Sequence, residues 1–194
     1  MESTDERALV AGLVQGNARV FGQVFEAFRP RVFSFLLRLS RRRDTAEDLT
    51  QETFVRLAKA SPTLAPDTRL GPYLFVVARN LFLSHRRWEM LDLSRIFLLG
   101  EEHDDAVTAH DARAQATLEL RAVESALGKL PLVHREVLVA VGVDGLDHDT
   151  CAEVLGLKPD ALRQRLARAR QALREELSRA EKRTRRTMPQ GEAP

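Results

Sequence analysis

Along this chain apolar residues return every three or four positions, and no stretch alternates residue by residue as a half-buried strand would. The pattern predicts a first helix over 5–15, closed by Gly16-Asn17. A second begins at residue 18 with Val20, Phe21, Val24, Phe25 and Phe28 on one side, and Pro30 interrupts it. Residues 31–40 resume the period with Val32, Phe33, Phe35, Leu36 and Leu39. After the triplet Arg41-Arg42-Arg43, Asp44 and Glu47 stand three apart as in a capping box, which predicts a helix over 45–60. Ala46, Leu49, Thr53, Phe54 and Leu57 form its inward stripe, leaving Asp48, Gln51, Glu52 and Arg56 on the other side. The prolines and glycine of 61–72 read as a loop. Tyr73 to Arg87, YLFVVARNLFLSHRR, reads as a further helix, apolar early and basic late.

Residues 100–112, GEEHDDAVTAHDA, break the period; they are acidic and poor in large apolar side chains, as a linker would be. Helical spacing returns from about 113 to Gly128 and again over 132–142, before a turn at Val143-Asp144-Gly145-Leu146. Asp147-His148-Asp149 can cap a short helix to Leu155, and Gly156 can supply the positive φ that ends it. Pro159 and Asp160 suit the first turn of the next helix, whose apolar stripe is Leu162, Leu166, Ala169, Leu173 and Leu177. Two helices meeting across so tight a turn form a helix-turn-helix. The tail RAEKRTRRTMPQGEAP is basic, then poor in apolar residues, and is expected to be disordered. The expected fold is all-α. Two small helical domains, 1–92 and 116–178, are joined by a flexible acidic linker over 93–115, the second carries the helix-turn-helix, and 179–194 is tail.

Composition narrows the function. One Trp and one Tyr in 194 residues favour helices over sheets. Net charge is only +2, but it is unevenly placed. Residues 1–99 hold 15 Lys/Arg against 11 Asp/Glu, 100–127 hold 2 against 7, and 128–194 hold 13 against 10. Two basic segments flanking an acidic one admit a nucleic-acid partner without requiring it. The single cysteine, Cys151, excludes an intrachain disulfide and suits a reducing compartment. The N-terminus, MESTDERALV, has no signal-like apolar core, and the apolar runs are too short and broken to span a bilayer. A cytoplasmic protein is expected. No G-x-G-x-x-G, phosphate-binding loop or G-x-S-x-G occurs, and the histidines fall in no metal-ligand spacing. No catalytic residue, metal or cofactor is expected, and the chain does not read as an enzyme.

What chemistry there is lies behind the tight turn. Arg163, Gln164, Arg168, Gln171 and Arg174 sit off the apolar stripe. Arg163 and Gln164 fall near the end of the helix that normally meets base edges. Arginine forks onto guanine and glutamine pairs with adenine, while later arginines suit phosphates. A solvated face on an amphipathic helix gives the same pattern, so the turn, the caps and the arginines count only together. A helix-turn-helix repressor or a response-regulator-like protein would carry this segment equally well.

The blocks AEDLTQETFVRL (46–57), YLFVVARNLFLSHRR (73–87) and LPLVHREVLVAVGVDGLDHDTCAEVLGLKPDALRQRLARARQAL (130–173) distinguish these readings. In this order they resemble the extracytoplasmic-function (ECF) sigma factors, the minimal members of the sigma-70 family with sigma domains 2 and 4. The resemblance covers roughly residues 6–90 and 115–178. It implies a subunit that binds core RNA polymerase, recognises −10 and −35 promoter elements and promotes strand opening at initiation. By position, Asp48, Gln51, Glu52 and Arg56 would contact the clamp helices of the largest subunit. Arg79, Asn80, Arg86 and Arg87 would meet the −10 non-template strand, the amide bonding an extruded base and the arginines holding phosphates. Lys158, Arg163, Gln164, Arg165 and Arg168 would read the −35 element, Arg165 pointing most to the side. The acidic linker would lie in the polymerase's active-site region and RNA exit path. The implied partners are core polymerase (clamp helices and flap), promoter DNA and an anti-sigma factor, which can hold the chain at the inner membrane; no small-molecule substrate is implied.

Some positions depart from the family pattern. Pro72-Tyr73 stands where a tryptophan often opens the helix, Ser84 replaces a common aspartate, and Thr150-Cys151 stands where Glu-Ile is usual. Cys151 falls on the inward side of its helix and reads as core rather than redox sensor.

Overall fold

The amphipathic run around Pro30 folds as one helix in the computed structural model, which describes residues 3–97, 118–142 and 146–187. Helix α1 spans Ser3–Val14, and α2 spans Ala18–Ser40 without a break. Asn17 opens α2, its Oδ1 accepting from the amides of Arg19 (3.0 Å) and Val20 (3.3 Å). The interruption expected at Pro30 does not occur. Val24, Phe28, Val32, Phe35, Leu36 and Leu39 are buried on one continuous face, while Pro30 and Glu26, whose carbonyl loses its donor, are exposed to water. Burial on one side outweighs the roughly 3 kcal/mol that an interior proline costs.

Helix α3 runs Arg43–Ala60, and the capping box expected at its start is not formed. Asp44 lies inside the first turn, gripped by Arg42 at 2.7 Å, and Glu47 pairs with Arg43 at 2.8 Å rather than turning back to the helix start. The chain reverses just before, where Arg41 takes φ 63° and its amide closes on the Leu37 carbonyl. Thr45, Ala46, Leu49, Thr50, Thr53, Phe54 and Leu57 are buried, matching the inward stripe and adding two threonines. Thr50 and Thr53 donate their hydroxyls to carbonyls one turn back (2.6 and 2.7 Å), which makes their burial cheap.

A 3-10 turn at Ser61–Thr63 leads to α4, Leu70–Phe97, which starts three residues earlier and ends ten residues later than the sequence predicted. Its start is capped from a distance: Glu6 of α1 accepts from the Leu70 amide at 2.8 Å. Pro72 sits in the first turn, where a missing amide costs little. No glycine or proline follows until Gly100, so nothing ends the helix at Arg87. Edge-to-face contacts of Phe25 with Phe54 (4.8 Å) and Phe35 with Phe75 (5.3 Å) lock α2, α3 and α4 together.

The second half holds α5 (Leu118–Lys129), α6 (Leu132–Val141), α7 (His148–Leu155) and α8 (Pro159–Thr187). The acidic linker of 100–112, the expected start of α5 near 113, part of the 143–146 turn and the last seven residues lie outside the described residues. The tail expected to be disordered from 179 instead continues α8 to Thr187, since it is rich in helix formers and free of glycine and proline up to Pro189. Among the described residues there is no strand, and no helix is long and apolar enough to cross a membrane. The buried apolar residues form one cluster reaching from Val10 to Ala169, so the two halves pack against each other.

Candidate nucleic-acid interface

The helix-turn-helix forms as its sequence predicts. Asp147 Oδ1 accepts from the Thr150 amide at 2.7 Å and opens α7. That bond is the first cause that holds its carboxyl below the usual range. Gly156, at φ 64°, closes α7, with the Leu157 amide returning to the Ala152 carbonyl at 2.8 Å. Leu162, Leu166 and Ala169 are buried and aim α8. Lys158, just before α8, and Arg163, Gln164 and Arg168 on it are exposed, and Arg165 is half-buried. Arg163 is joined to Asp160 one turn back, an exposed pair of little strength. A hollow of about 430 Å³ between α7 and α8 has Leu162 and Leu166 in its wall and Arg163 and Arg170 at its rim.

Cys151 is buried, donates to the Ala140 carbonyl at 3.3 Å, and burial pushes its thiol up to about 11. It is a core residue.

On α3, Asp48, Gln51 and Arg56 are exposed and Glu52 is half-buried. Glu52 and Arg56 pair at 3.1 Å one turn apart, so the four form one solvent-facing patch of mixed charge.

The basic end of α4 is divided. Asn80, Arg86 and Arg87 are exposed, as is Trp88, at 67%. Arg79 is not: its Nε donates to Glu136 Oε1 of α6 at 3.1 Å, with only 17% and 6% of the two side chains exposed.

That pair belongs to a seam between the two halves which the sequence did not announce. Arg41 donates to the Gly128 carbonyl at 3.0 Å, and Arg135 to the Leu39 carbonyl at 3.0 Å. Arg135 also bonds the carbonyls of Leu127, Gly128 and Leu130, completing the α5–α6 turn. Arg69 donates to Thr150 Oγ1 at 2.7 Å and approaches Glu153 at 3.8 Å. One signal was present: Glu136 is a carboxylate set inside the apolar run LVHREVLVAV, where it needs a partner.

Comparison with known proteins bears directly on these surfaces. The chain matches Sigma-70 region 2 over residues 24–89 and Sigma-70, region 4 over residues 120–173. The first takes in the α3 patch and the α4 face, the second the helix-turn-helix, and together they remove the repressor reading. The chain is 33% identical to the ECF RNA polymerase sigma factor EcfG of Rhodopseudomonas palustris over 66% of its own length and 68% of that protein's. It is 31% identical to the RNA polymerase sigma factor CarQ of Myxococcus xanthus, over 76% of its own length and 83% of that protein's. Its fold is similar to that of the sigma factor RpoE of Bartonella quintana, solved in complex with the anti-sigma factor NepR. There the TM-score is 0.71 at 26% identity, over 81% of this chain and 96% of that one. The chain therefore belongs to the ECF RNA polymerase sigma factors, which are transcription initiation factors.

Proposed function

We propose that this chain is a promoter-selecting subunit of bacterial RNA polymerase with three working surfaces. Asp48, Gln51, Glu52 and Arg56 dock on the clamp helices of the largest subunit, where a mixed charge and amide face suits an arginine-rich helix. Arg79, Asn80, Arg86 and Arg87 meet the −10 non-template strand, and Lys158, Arg163, Gln164, Arg165 and Arg168 read the −35 duplex. The observation that carries the reading is that exposed basic and amide groups occur on α4 and again on the first turns of α8, two helices in separate sigma regions. A single DNA reader needs one such face; a promoter reader needs two.

The division into domains 1–92 and 116–178 belongs to this proposal, as do a cytoplasmic location, the absence of any enzymatic step, a contact with the polymerase flap and control by an anti-sigma factor. The complex of the Bartonella protein with NepR supports the last of these.

The test is reconstitution. The chain is mixed with core polymerase, and co-elution and promoter-dependent transcription are measured. Glu52→Ala is expected to weaken co-elution while leaving duplex binding unchanged. A chain that ignores core polymerase yet binds duplex DNA tightly as a dimer would defeat the proposal.

A further inference from the structure

We infer that Trp88 is a stacking platform for one unpaired base of the strand lying along α4, with Arg87 beside it holding that nucleotide's phosphate. The inference deepens the proposed −10 role of α4 and rests on it.

Trp88 is the sole tryptophan of the chain, and its place is unusual. Folded proteins bury most of a tryptophan, the largest of the side chains. Trp88 is 67% exposed, more than any other large apolar residue among those described. The buried cluster takes in Leu81 and Phe82, and Leu83 packs against it, while Trp88 stays outside. It adds little to the fold, and most of its ring is open to solvent.

The helical period decides which neighbours share its side. At 3.6 residues per turn, Asn80, Ser84, Arg87, Trp88 and Leu91 fall on one side of α4, with Asn80 and Trp88 about 12 Å apart along the axis. That side bears no carboxylate. Ser84 is neutral, and Glu89 turns away to Arg42 (3.8 Å) and His85 (3.1 Å). Arg87 donates to the Leu83 carbonyl and the Ser84 hydroxyl, both at 3.4 Å, near the outer limit of a hydrogen bond. Bonds so long yield to a charge-assisted contact with a phosphate.

A cation for the backbone and a π-face for the base are the two parts that single-strand binding uses. Asn80 reads a base by hydrogen bonding, whereas Trp88 holds one by stacking, whatever its identity. A paired base keeps its faces inside the duplex stack, so the platform accepts one only after the strands separate, and it stabilises the opened form. A protein partner would surround the indole with apolar groups. Of the four residues that share its side, only Leu91 is apolar, which favours the nucleic acid.

The experiment uses the full chain, free and bound to core polymerase, with a fluorescent single-stranded oligothymidylate as probe. Anisotropy should show Trp88→Ala binding roughly 5- to 150-fold more weakly than the parent. Trp88→Phe should restore most of the affinity, and Trp88→Leu, apolar but without a π-face, should not. Val133→Ala, which trims an exposed apolar side chain elsewhere, sets the baseline. Arg87→Ala should reduce the salt slope by about 0.7, and an unchanged slope overturns the phosphate contact. In the free chain, unlabelled oligothymidylate should quench the indole fluorescence, which comes from Trp88 alone, and an abasic strand of equal length should not. Binding without quenching, or Trp88→Leu binding as well as Trp88→Phe, overturns the stacking and leaves the −10 role of α4 in place. Trp88→Ala that binds the strand like the parent but co-elutes poorly with core polymerase makes Trp88 a protein contact, and overturns it too. A strand bound by neither form overturns the −10 reading itself, and the inference with it.

Discussion

The α4 and α8 faces carry the same kinds of residue and differ in who holds them. On α8, Arg163 and Arg168 stand in water, and Arg163's partner is an exposed aspartate on its own helix. On α4, Arg79 is held by a buried carboxylate from the other half of the molecule, while Asn80, Arg86 and Arg87 remain exposed. An exposed pair is weak and screened by salt; a buried one resists because breaking it strands a charge. The α8 face is open to water, and the α4 face is partly held. A count of arginines says nothing about this difference, which lies in the partner.

Arg163→Ala should sharpen the contrast most. A bidentate arginine–guanine pair is worth roughly 1–3 kcal/mol, so affinity for −35 duplex DNA should fall by roughly 5- to 150-fold. Preference should relax at one base pair, as titration across single-base variants will show. Glu136→Gln, which removes the buried partner on the α4 side, should leave the same duplex affinity unchanged; a parallel change would erase the distinction between the two faces.

Asp147→Ala comes next. Loss of the α7 cap should lower the thermal midpoint by a few degrees. The pH dependence has a definite sign. The folded-state carboxyl titrates below its usual 3.8, so its stabilisation is complete above that value and lost as pH falls through the lower folded one. Thermal melts of parent and variant should converge in that acid window and separate above it. Under the proposed −35 role, Arg168→Ala should weaken binding evenly across sequences and reduce the salt slope by about one. Smallest of all, Cys151 in the native protein should resist alkylation at neutral pH and react only on unfolding, its thiol being pushed up to about 11. Fast native labelling followed by mass spectrometry would contradict its place in the core.

How much of this was legible depends on how far each cause lies along the chain. The α7–α8 unit was readable almost to the residue, because Asp147, Gly156 and Pro159 act on amides and carbonyls within a few positions. The start of α3 misled, since Asp44 and Glu47 have capping-box spacing but Arg42 and Arg43, just as near, take both carboxylates. Pro30 misled for a different reason: local propensity lost to a tertiary face that buries six side chains across it. The seam was hidden but for Glu136, a carboxylate inside an apolar run. Arg41 and Gly128 are 87 residues apart, and no local pattern connects them.

The Glu6–Leu70 bond carries a consequence for the order of folding. During synthesis Glu6 leaves the ribosome long before the helix whose first amide it accepts, so the acceptor waits for its donor. Nucleation of α4, the costly step in any helix, is then helped by a segment already made. It also ties the fraying of the N-terminal turns to the exchange of the Leu70 amide, so the two should open as one cooperative unit although 64 residues separate them. A shortened N-terminus would thus be felt first at the opening turn of α4.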